Sequence, residues 1–179
     1  PHEQSYRYFT RFSGFFAACF SWLAPVLPGL YPAEMALIFD SLPDFWAQRS
    51  KHWAIWLQEV AASEGKRLGD FNYRFHTDDE LLELNRRFLD HDTYTDIITF
   101  DRTRGNRIDA DVAVSWERVL DNASRLGTEL GDEVDRVVLH AVLHACGYAD
   151  KSPEEEMTMR ALENHYLAVR PLVLLHVEQ

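Results

Sequence analysis

The stretch from His140 to Asp150 constrains the fold more than any other part of the chain. His140 and His144 lie four residues apart, a glycine follows at Gly147, and a carboxylate comes at Asp150. Residues i and i+4 share one face of an α-helix, with Cβ atoms about 5–6 Å apart, so both imidazoles can reach one ion. Gly147 can adopt the left-handed conformation that ends a helix, which lets Asp150 approach from the following loop. The pattern predicts a helix, a turn and a loop that meet at a metal ion.

The candidate ligands His140, His144 and Asp150 are of types that zinc accepts. Catalytic zinc sites use three protein ligands and leave a position for water, whose pKa falls to about 7. The alternative is two core histidines followed by an ordinary helix cap and a surface aspartate. We favour one zinc ion with an open position, because the glycine and the carboxylate both follow where the site needs them.

The residue after the first histidine limits the chemistry of such a site. In zinc proteases with the motif H-E-x-x-H this residue is the glutamate that acts as general base. Here it is Ala141. A peptidase would therefore lack its proton acceptor, and this function is disfavoured.

Length and composition indicate one globular domain in a reducing, cytoplasmic compartment. The chain has 179 residues, and its two cysteines, Cys19 and Cys146, offer no disulfide framework. The sequence contains no glycine-rich phosphate loop, which argues against a nucleotide-dependent enzyme. The formal net charge of −11 opposes non-specific binding of nucleic acid. An RNA substrate would therefore need a local basic patch or a partner protein.

Arginines supply the candidate basic patch. Arg102, Arg104 and Arg107 cluster around a glycine-containing loop, and Arg86 and Arg87 are adjacent in sequence. The alternative for each is a solvated surface cation, which is the commoner role of an arginine.

The first 34 residues differ from the rest of the chain. The segment 12–31 is aromatic and apolar, but Pro25 and Pro28 interrupt it, and it is too short for a transmembrane helix. Met35 opens a strand-like run. We therefore expect residues 1–34 to be a non-native or disordered extension, residues 35–179 to form the domain, and the protein to have no membrane segment.

From Met35 onwards, hydrophobic periodicity predicts four strands and five helices. The predicted strands lie at 35–40, 71–75, 95–101 and 108–115. The predicted helices lie at 50–64, after the capping box at 77–80, from about 119 to 126, at 131–146, and from the capping box at 152–155 to 169. The expected apolar faces include Trp53, Trp56, Leu81, Leu84, Phe88, Val119, Leu120, Ala123 and Leu126. A short polar loop joins the last two strands as an antiparallel hairpin, so the expected fold is a single α+β domain with a mixed four-stranded sheet and about five helices.

Three separated stretches resemble the YbeY family of bacterial endoribonucleases. They are residues 137–150, Leu84–Phe88 and Thr95–Phe100. The family motif reads roughly H-G-x-L-H-L-x-G-Y-D-H, preceded by L-N-x-x-Y-R and T-D-V-L-S-F. The resemblance runs from Met35 to the C-terminus in the same order and spacing.

The resemblance implies a metal-dependent endoribonuclease that prefers single-stranded RNA. It implies a role in rRNA maturation, especially at the 3′ end of 16S rRNA, and in ribosome quality control. Family members are cytoplasmic and bind one zinc through three side chains, which correspond here to His140, His144 and Asp150. The implied partners are the small ribosomal subunit and either a small-subunit ribosomal protein or a ribosome-associated GTPase.

Three positions depart from the family motif. Asp150 replaces the usual third histidine, which lowers the net charge of the site by one and is expected to shift the activity optimum to higher pH. Leu89 stands where the motif has arginine, so Arg86 and Arg87 are the candidates for its role. Ala141 replaces a glycine, a change of one small residue for another.

Further residues and functions stay open at this stage. Arginines near the zinc would offset the charge that develops on a scissile phosphate. Asp96 is a candidate to orient a ligand histidine, or else closes the turn before a strand. The residues 90–92 (Asp-His-Asp) imitate a second metal site, although a solvated turn is favoured. The alternative functions are a zinc peptidase-like hydrolase and a metal-stabilised ribosome-assembly protein with little catalysis.

Overall fold

The computed structural model describes residues 7–11, 36–40 and 46–171. Five strands and five helices make up this described part of the chain. In order they are β1 (Arg7–Arg11), β2 (Ala36–Asp40), α1 (Ala47–Ser63), β3 (Arg67–His76), α2 (Asp78–Leu89), β4 (Ile97–Asp101), β5 (Arg107–Ser115), α3 (Trp116–Leu126), α4 (Leu130–Cys146) and α5 (Pro153–Ala168). The predicted helices and the four strands predicted after residue 34 are all present, which confirms the α+β class.

The sheet is open and mixed, with the strand order β1-β2-β3-β5-β4 within the described ranges. Strands β2, β3 and β5 run parallel, while β1 and β4 pair antiparallel with their neighbours at the two edges. The predicted hairpin is confirmed, since Ile97 pairs with Val114 and Asp101 with Ala110. Strand β1 adds an edge strand to the four predicted. Residues 12–35, including Cys19, lie outside the described residues, so the expectation for residues 1–34 stays a prediction.

The main core lies on one face of this sheet. Phe71 and Tyr73 of β3 are fully buried there with Trp53 and Trp56 of α1, as the tryptophan spacing predicted. Helix α4 packs on the same face, where the Tyr73 hydroxyl donates a hydrogen bond to the Val138 carbonyl oxygen at 2.8 Å. This bond fixes α4 against the centre of the sheet.

The opposite face carries α2. Leu81 packs there against Ile98 and Ala113 in a small separate cluster. Ala113 lies between Val112 and Val114, which belong to the main core. Because successive side chains of a strand point to opposite faces, β5 serves both cores.

Three residues expected on apolar helix faces are instead exposed. Phe88 is 55% exposed, Leu120 43% and Leu126 53%, so the prediction is wrong at these positions. On α3 the buried residues are Val119 and Ala123, which are four apart. The helix therefore contacts the rest of the protein through a narrow stripe, and the leucines beside that stripe face solvent.

Helix α4 is largely buried and ends where the sequence predicted. Gly147 follows it with φ of +108°, a conformation that L side chains rarely adopt. Helix α5 begins with Ser152 and Glu155 in a reciprocal capping box, with a proline in its first turn. The loop 147–151 is therefore held between two well-defined helix ends. No helix in the described ranges is long and apolar enough to cross a bilayer.

Candidate metal centre

The end of α4 and the loop after it bring the three predicted ligands together. The Gly147 N–H donates to the His144 carbonyl oxygen at 2.9 Å, and the Tyr148 N–H donates to that of Leu143 at 3.2 Å. These bonds close the helix and reverse the chain. Asp150 then lies beside the two histidines.

The inner atoms of His140, His144 and Asp150 have the spacing of metal ligands. The Asp150 Oδ2 atom lies 3.4 Å from His140 Nε2 and 3.6 Å from His144 Nε2. One ligand atom from each residue lies within 4.8 Å of the others, and within the described residues these three side chains form the group that could hold a metal. Ligands about 2.0–2.2 Å from a tetrahedral zinc are about 3.3 Å apart. The three residues therefore fit zinc without a large movement.

The outer nitrogens of both imidazoles are already bonded within the protein. His144 Nδ1 lies 2.9 Å from the Tyr148 carbonyl oxygen, which can only accept, so Nδ1 is the donor. His140 Nδ1 lies 2.6 Å from Glu163 Oε1. A proton on each Nδ1 leaves the lone pair of each Nε2 directed at Asp150. Three acceptors then converge with no hydrogen between them, an arrangement that a cation stabilises.

The site is buried on one side and open on the other. The His140 side chain is 10% exposed, that of His144 25%, and that of Asp150 38%. Burial lowers the pKa of His144, and the neighbouring His140 lowers it further. An uncharged imidazole at neutral pH is the form that binds a metal. The Asp150 side is where a water or a substrate can approach.

A second carboxylate fastens the metal loop to the core. Glu64, just after α1, accepts a hydrogen bond from the Tyr148 hydroxyl at 2.7 Å and another from the Tyr166 hydroxyl. The bond to Glu64 raises the pKa of Tyr148, and burial adds to the effect. The Tyr148 backbone carbonyl accepts the hydrogen bond from His144 Nδ1, and the Tyr148 side chain is held by Glu64. Glu64 therefore helps to position the candidate ligand His144 through Tyr148.

Cys146 follows His144 closely in the sequence, but among the described residues it does not belong to the group that could hold a metal. Burial raises the pKa of its thiol to about 11, and the charge of Glu64 acts in the same direction.

The comparisons with known proteins agree on one family. The family model described as Endoribonuclease YbeY matches residues 45–169. A Bacteroides thetaiotaomicron protein described as Endoribonuclease YbeY is 47% identical over 115 residues, covering 64% of this chain and 84% of the relative. One from Christiangramia forsetii is 41% identical over 141 residues, covering 79% of this chain and 95% of the relative.

The chain belongs to the YbeY family. This confirms the resemblance carried by the sequence motifs. A solution structure of a Thermotoga maritima protein, 24% identical, matches 68% of this chain and 80% of that one with a TM-score of 0.50, which supports the fold.

Arg86 and Arg87 were the candidates for the role of the one arginine that the YbeY motif has at the position of Leu89. Arg86 Nε instead lies 2.6 Å from Asp92 Oδ1, and the Arg87 guanidinium lies over the Phe88 ring at 5.3 Å. Leu89, in the arginine position of the motif, is 45% exposed at the end of α2. None of these contacts involves the three candidate ligands, so a role for Arg86 or Arg87 stays a prediction.

Two of the three loop arginines are paired with carboxylates. Arg102 Nε lies 2.9 Å from Asp111, and Arg107 Nη2 lies 3.1 Å from Asp70. Arg104 is exposed, and its backbone closes the turn with Arg107. The pairing reduces the positive field that this loop can offer to a phosphate.

The structure favours a turn over a second metal site at residues 90–92. Asp90 caps α2 in the left-handed conformation, with φ of 57°. Asp92 is bound to Arg86. In the YbeY fold of this chain these residues therefore end a helix.

Asp96 does not orient a histidine. Its Oδ2 atom lies 2.9 Å from Arg136 Nη2, and the residue that contacts His140 is Glu163. Sequence reasoning missed both Arg136 and Glu163. A signal for Glu163 was available in the sequence. It lies at helical spacing from Met159 and Tyr166, on the buried face of α5, where a carboxylate needs a partner.

Ala141 is fully buried in the main core. No carboxylate follows His140 there, so the general base of the H-E-x-x-H proteases has no counterpart at this position. This agrees with the sequence-based argument against a peptidase.

Proposed function

We propose that the protein is a zinc-dependent endoribonuclease that cleaves single-stranded RNA. The observation that carries the proposal is the convergence of His140 Nε2, His144 Nε2 and Asp150 Oδ2 at separations of 3.4 and 3.6 Å. Membership of a family described as Endoribonuclease YbeY supports the reaction and the RNA substrate.

His140, His144 and Asp150 would hold one zinc ion. A zinc ion in such a site supplies Lewis acidity and lowers the pKa of a water molecule to about 7. The protein contributes two imidazoles whose Nδ1 protons are fixed, so both present lone pairs at Nε2. Asp150 forms the exposed edge, which leaves room for an RNA phosphate. On the other side the His140 ring is 10% exposed and lies against Glu163 of α5.

We place this activity in the cytoplasm, at the 3′ end of 16S rRNA and in ribosome quality control. The small ribosomal subunit would present the RNA, with a small-subunit ribosomal protein or a ribosome-associated GTPase as a further partner. The net charge of −11 supports a need for such a partner, because the chain repels free RNA at long range.

The direct test is cleavage of a labelled single-stranded RNA by the purified protein. We expect His144→Ala to reduce cleavage more than about 100-fold, since loss of a ligand should exceed the effect of losing a residue that supports one. His165→Ala is the matched control, because His165 is an exposed histidine on α5. A chelator should abolish cleavage and added zinc should restore it. Undiminished cleavage by His144→Ala would contradict the proposal.

A second test places the activity in the cell. The 3′ ends of 16S rRNA would be mapped in cells that carry His144→Ala, with the zinc content measured on the same purified variant. We expect extended 3′ ends together with loss of zinc. Normal ends in a variant without zinc would refute the nuclease assignment.

The second candidate function is a metal-stabilised ribosome-assembly protein, which the acidic net charge favours. It predicts that His140→Ala and Asp150→Ala lose the metal but keep ribosome association and rRNA processing. The same cellular mapping therefore separates the two functions.

Asp150 offers a test of how ligand charge tunes the reaction. Asp150→His replaces a carboxylate with a neutral ring and makes the site more positive by one charge. We expect the pH optimum of cleavage to fall by about one unit, since a more positive site favours ionisation of water. Asp150→Asn is the control, because it removes the same charge but keeps an oxygen ligand. An optimum that moves upwards in Asp150→His would contradict the electrostatic reasoning.

A further inference from the structure

A buried carboxylate on α5 has no place in the reaction itself. The Glu163 side chain is only 3% exposed, so it is too buried to contact an RNA substrate. Burying a carboxylate is costly unless charged or hydrogen-bonding partners compensate. The partners of Glu163 therefore indicate why it is there.

Its shortest contact is with a candidate metal ligand. Glu163 Oε1 lies 2.6 Å from His140 Nδ1, whereas the cations nearby are farther away. Arg136 Nη1 lies 3.4 Å from Oε1, and Arg160 Nη1 lies 3.6 Å from Oε2. The Glu163 carboxylate therefore makes its closest contact with the His140 imidazole and only longer contacts with the two guanidinium groups.

Arg136 in turn is held by two other carboxylates. Glu133 binds its Nε at 2.9 Å and its Nη2 at 2.6 Å, and Asp96 lies 2.9 Å from Nη2. Burial opposes the charge of Arg136, but the bonds to Glu133 and the charges of Asp96 and Glu163 outweigh it, and its pKa is raised. A permanently charged, doubly anchored guanidinium keeps Glu163 in one position.

We propose that Glu163 is a positioning residue for the metal site, holding the proton of His140 on Nδ1 so that Nε2 faces Asp150. Arg136 and Asp96 extend this support to the loop before β4. The inference rests on the proposed zinc site. A carboxylate that accepts the outer N–H of a ligand histidine fixes the ring and its tautomer and raises its basicity, and loss of such a group typically costs about 10–100-fold in metal affinity.

The chain supplies a control for a purely structural role. The Glu133 side chain is 2% exposed and that of Glu163 is 3% exposed. Glu133 bonds the same Arg136 more closely than Glu163 does, and its hydrogen bonds are to that guanidinium. If Glu163 served only to neutralise Arg136, Glu133→Gln should have the same consequences as Glu163→Gln. If Glu163 orients His140, only the Glu163 variants should alter the metal site.

The experiment compares the wild type, Glu163→Gln, Glu163→Met and Glu133→Gln. Zinc affinity is measured by competition with a chromophoric chelator. The tautomer of His140 is read in the zinc-free protein from two-bond ¹H–¹⁵N correlations of the ring, which need neither metal nor activity. Circular dichroism reports whether each variant is folded.

We expect Glu163→Met to bind zinc about 100-fold more weakly and to lose the Nδ1–H form of His140. Glu163→Gln keeps an acceptor oxygen but no charge, so we expect a loss of about 10-fold with the Nδ1–H form retained. Glu133→Gln should stay within about 3-fold of the wild type, below the range for a group that supports a ligand. Should Glu163→Met not fold, Glu163→Gln alone carries the test.

Two results would overturn the inference. One is a wild-type zinc affinity in the Glu163 variants, and the other is an equal loss in Glu133→Gln. In both cases the wild type binds zinc, so the proposed function survives. A wild-type protein that binds no zinc would overturn the proposed function and this inference together.

Discussion

Helix α4 carries two clusters of polar side chains, and they are built in opposite ways. In its first half, Asp135 is fully buried and accepts hydrogen bonds from Arg49 at 2.9 and 2.6 Å and from the Trp53 ring N–H at 2.7 Å. Arg170 Nη1 lies 3.2 Å from the same carboxylate. These charged side chains pair with one another, and we call them the closed cluster, although Arg170 Nε is buried without a hydrogen-bond partner.

At the end of the same helix the polar atoms do not match. His140, His144 and Asp150 present three acceptors to one point, while the donor nitrogens of both rings point away to Glu163 and Tyr148. Burial alone does not separate the two clusters, since His140 is also buried. The difference lies in the charges. Those of the first cluster are paired within the protein, whereas the second, which we call the open cluster, needs a cation.

The largest effect on stability is expected from breaking the closed cluster. Asp135→Asn removes the charge that Arg49 and Arg170 share, and their side chains are 3% and 6% exposed. We expect the free energy of unfolding in urea to fall by about 3–5 kcal/mol, because a buried charge is left without its partner.

The control for this variant uses the same arginine. Asp132→Asn removes a partner of Arg170 that is 45% exposed, and we expect a loss of no more than about 1 kcal/mol. Zinc affinity should be unchanged in both variants. A large loss of affinity in Asp135→Asn would show that the two clusters are coupled along α4.

The second largest effect on stability is expected from adding zinc to the open cluster of His140, His144 and Asp150. Zinc at about 100 times its dissociation constant should stabilise the wild type by about 2.7 kcal/mol, because it binds the folded state. The measurement is thermal unfolding with and without zinc. His140→Ala should remove this increment, and His165→Ala should retain it. Equal stabilisation of His140→Ala by zinc would mean that the metal binds elsewhere.

The sequence predicts the open cluster better than the closed one. The ligands lie within eleven residues on a helix, a glycine turn and a short loop, so local geometry brings them together. The closed cluster joins α1, α4 and Arg170, which follows α5, and 86 residues separate Arg49 from Asp135. Such contacts depend on how helices pack, and spacing in the sequence does not carry that information.

The same reason explains the misplaced residues. Asp96 was one candidate to orient a ligand histidine, because carboxylates fix the ring tautomer in metal sites, but the partner of its carboxylate was decided by where Arg136 projects from α4. Leu120 and Leu126 follow helical periodicity, yet α3 buries only the stripe of Val119 and Ala123. Capping boxes at Thr77 and Ser152 were correct because every contact in them is local.

Asp78 offers the test with the smallest expected effect on stability. It asks how much a carboxylate with all its partners inside the protein contributes to the free energy of unfolding. Asp78 is matched by donors, as Asp135 is, but lies nearer the surface at 15% exposure. It accepts hydrogen bonds from Arg118 Nε at 2.7 Å and from the Ser115 hydroxyl, and so joins the start of α2 to the start of α3. The bond from Arg118 lowers the pKa of Asp78, the bond from Ser115 adds to this, and burial opposes them.

Because the pKa of Asp78 is lower in the folded state, its contribution is complete above the unfolded value of about 3.9 and is lost as the pH falls through the folded value. We expect Asp78→Asn to cost about 1–2 kcal/mol at pH 7, with the difference from the wild type shrinking below about pH 4. Urea unfolding of both proteins from pH 7 to pH 3 measures it. If the difference in the free energy of unfolding stayed constant down to pH 3, the charge of Asp78 would not be what stabilises the contact between α2 and α3. The hydrogen bonds from Arg118 and Ser115 would then be sufficient without ionisation of the carboxyl group.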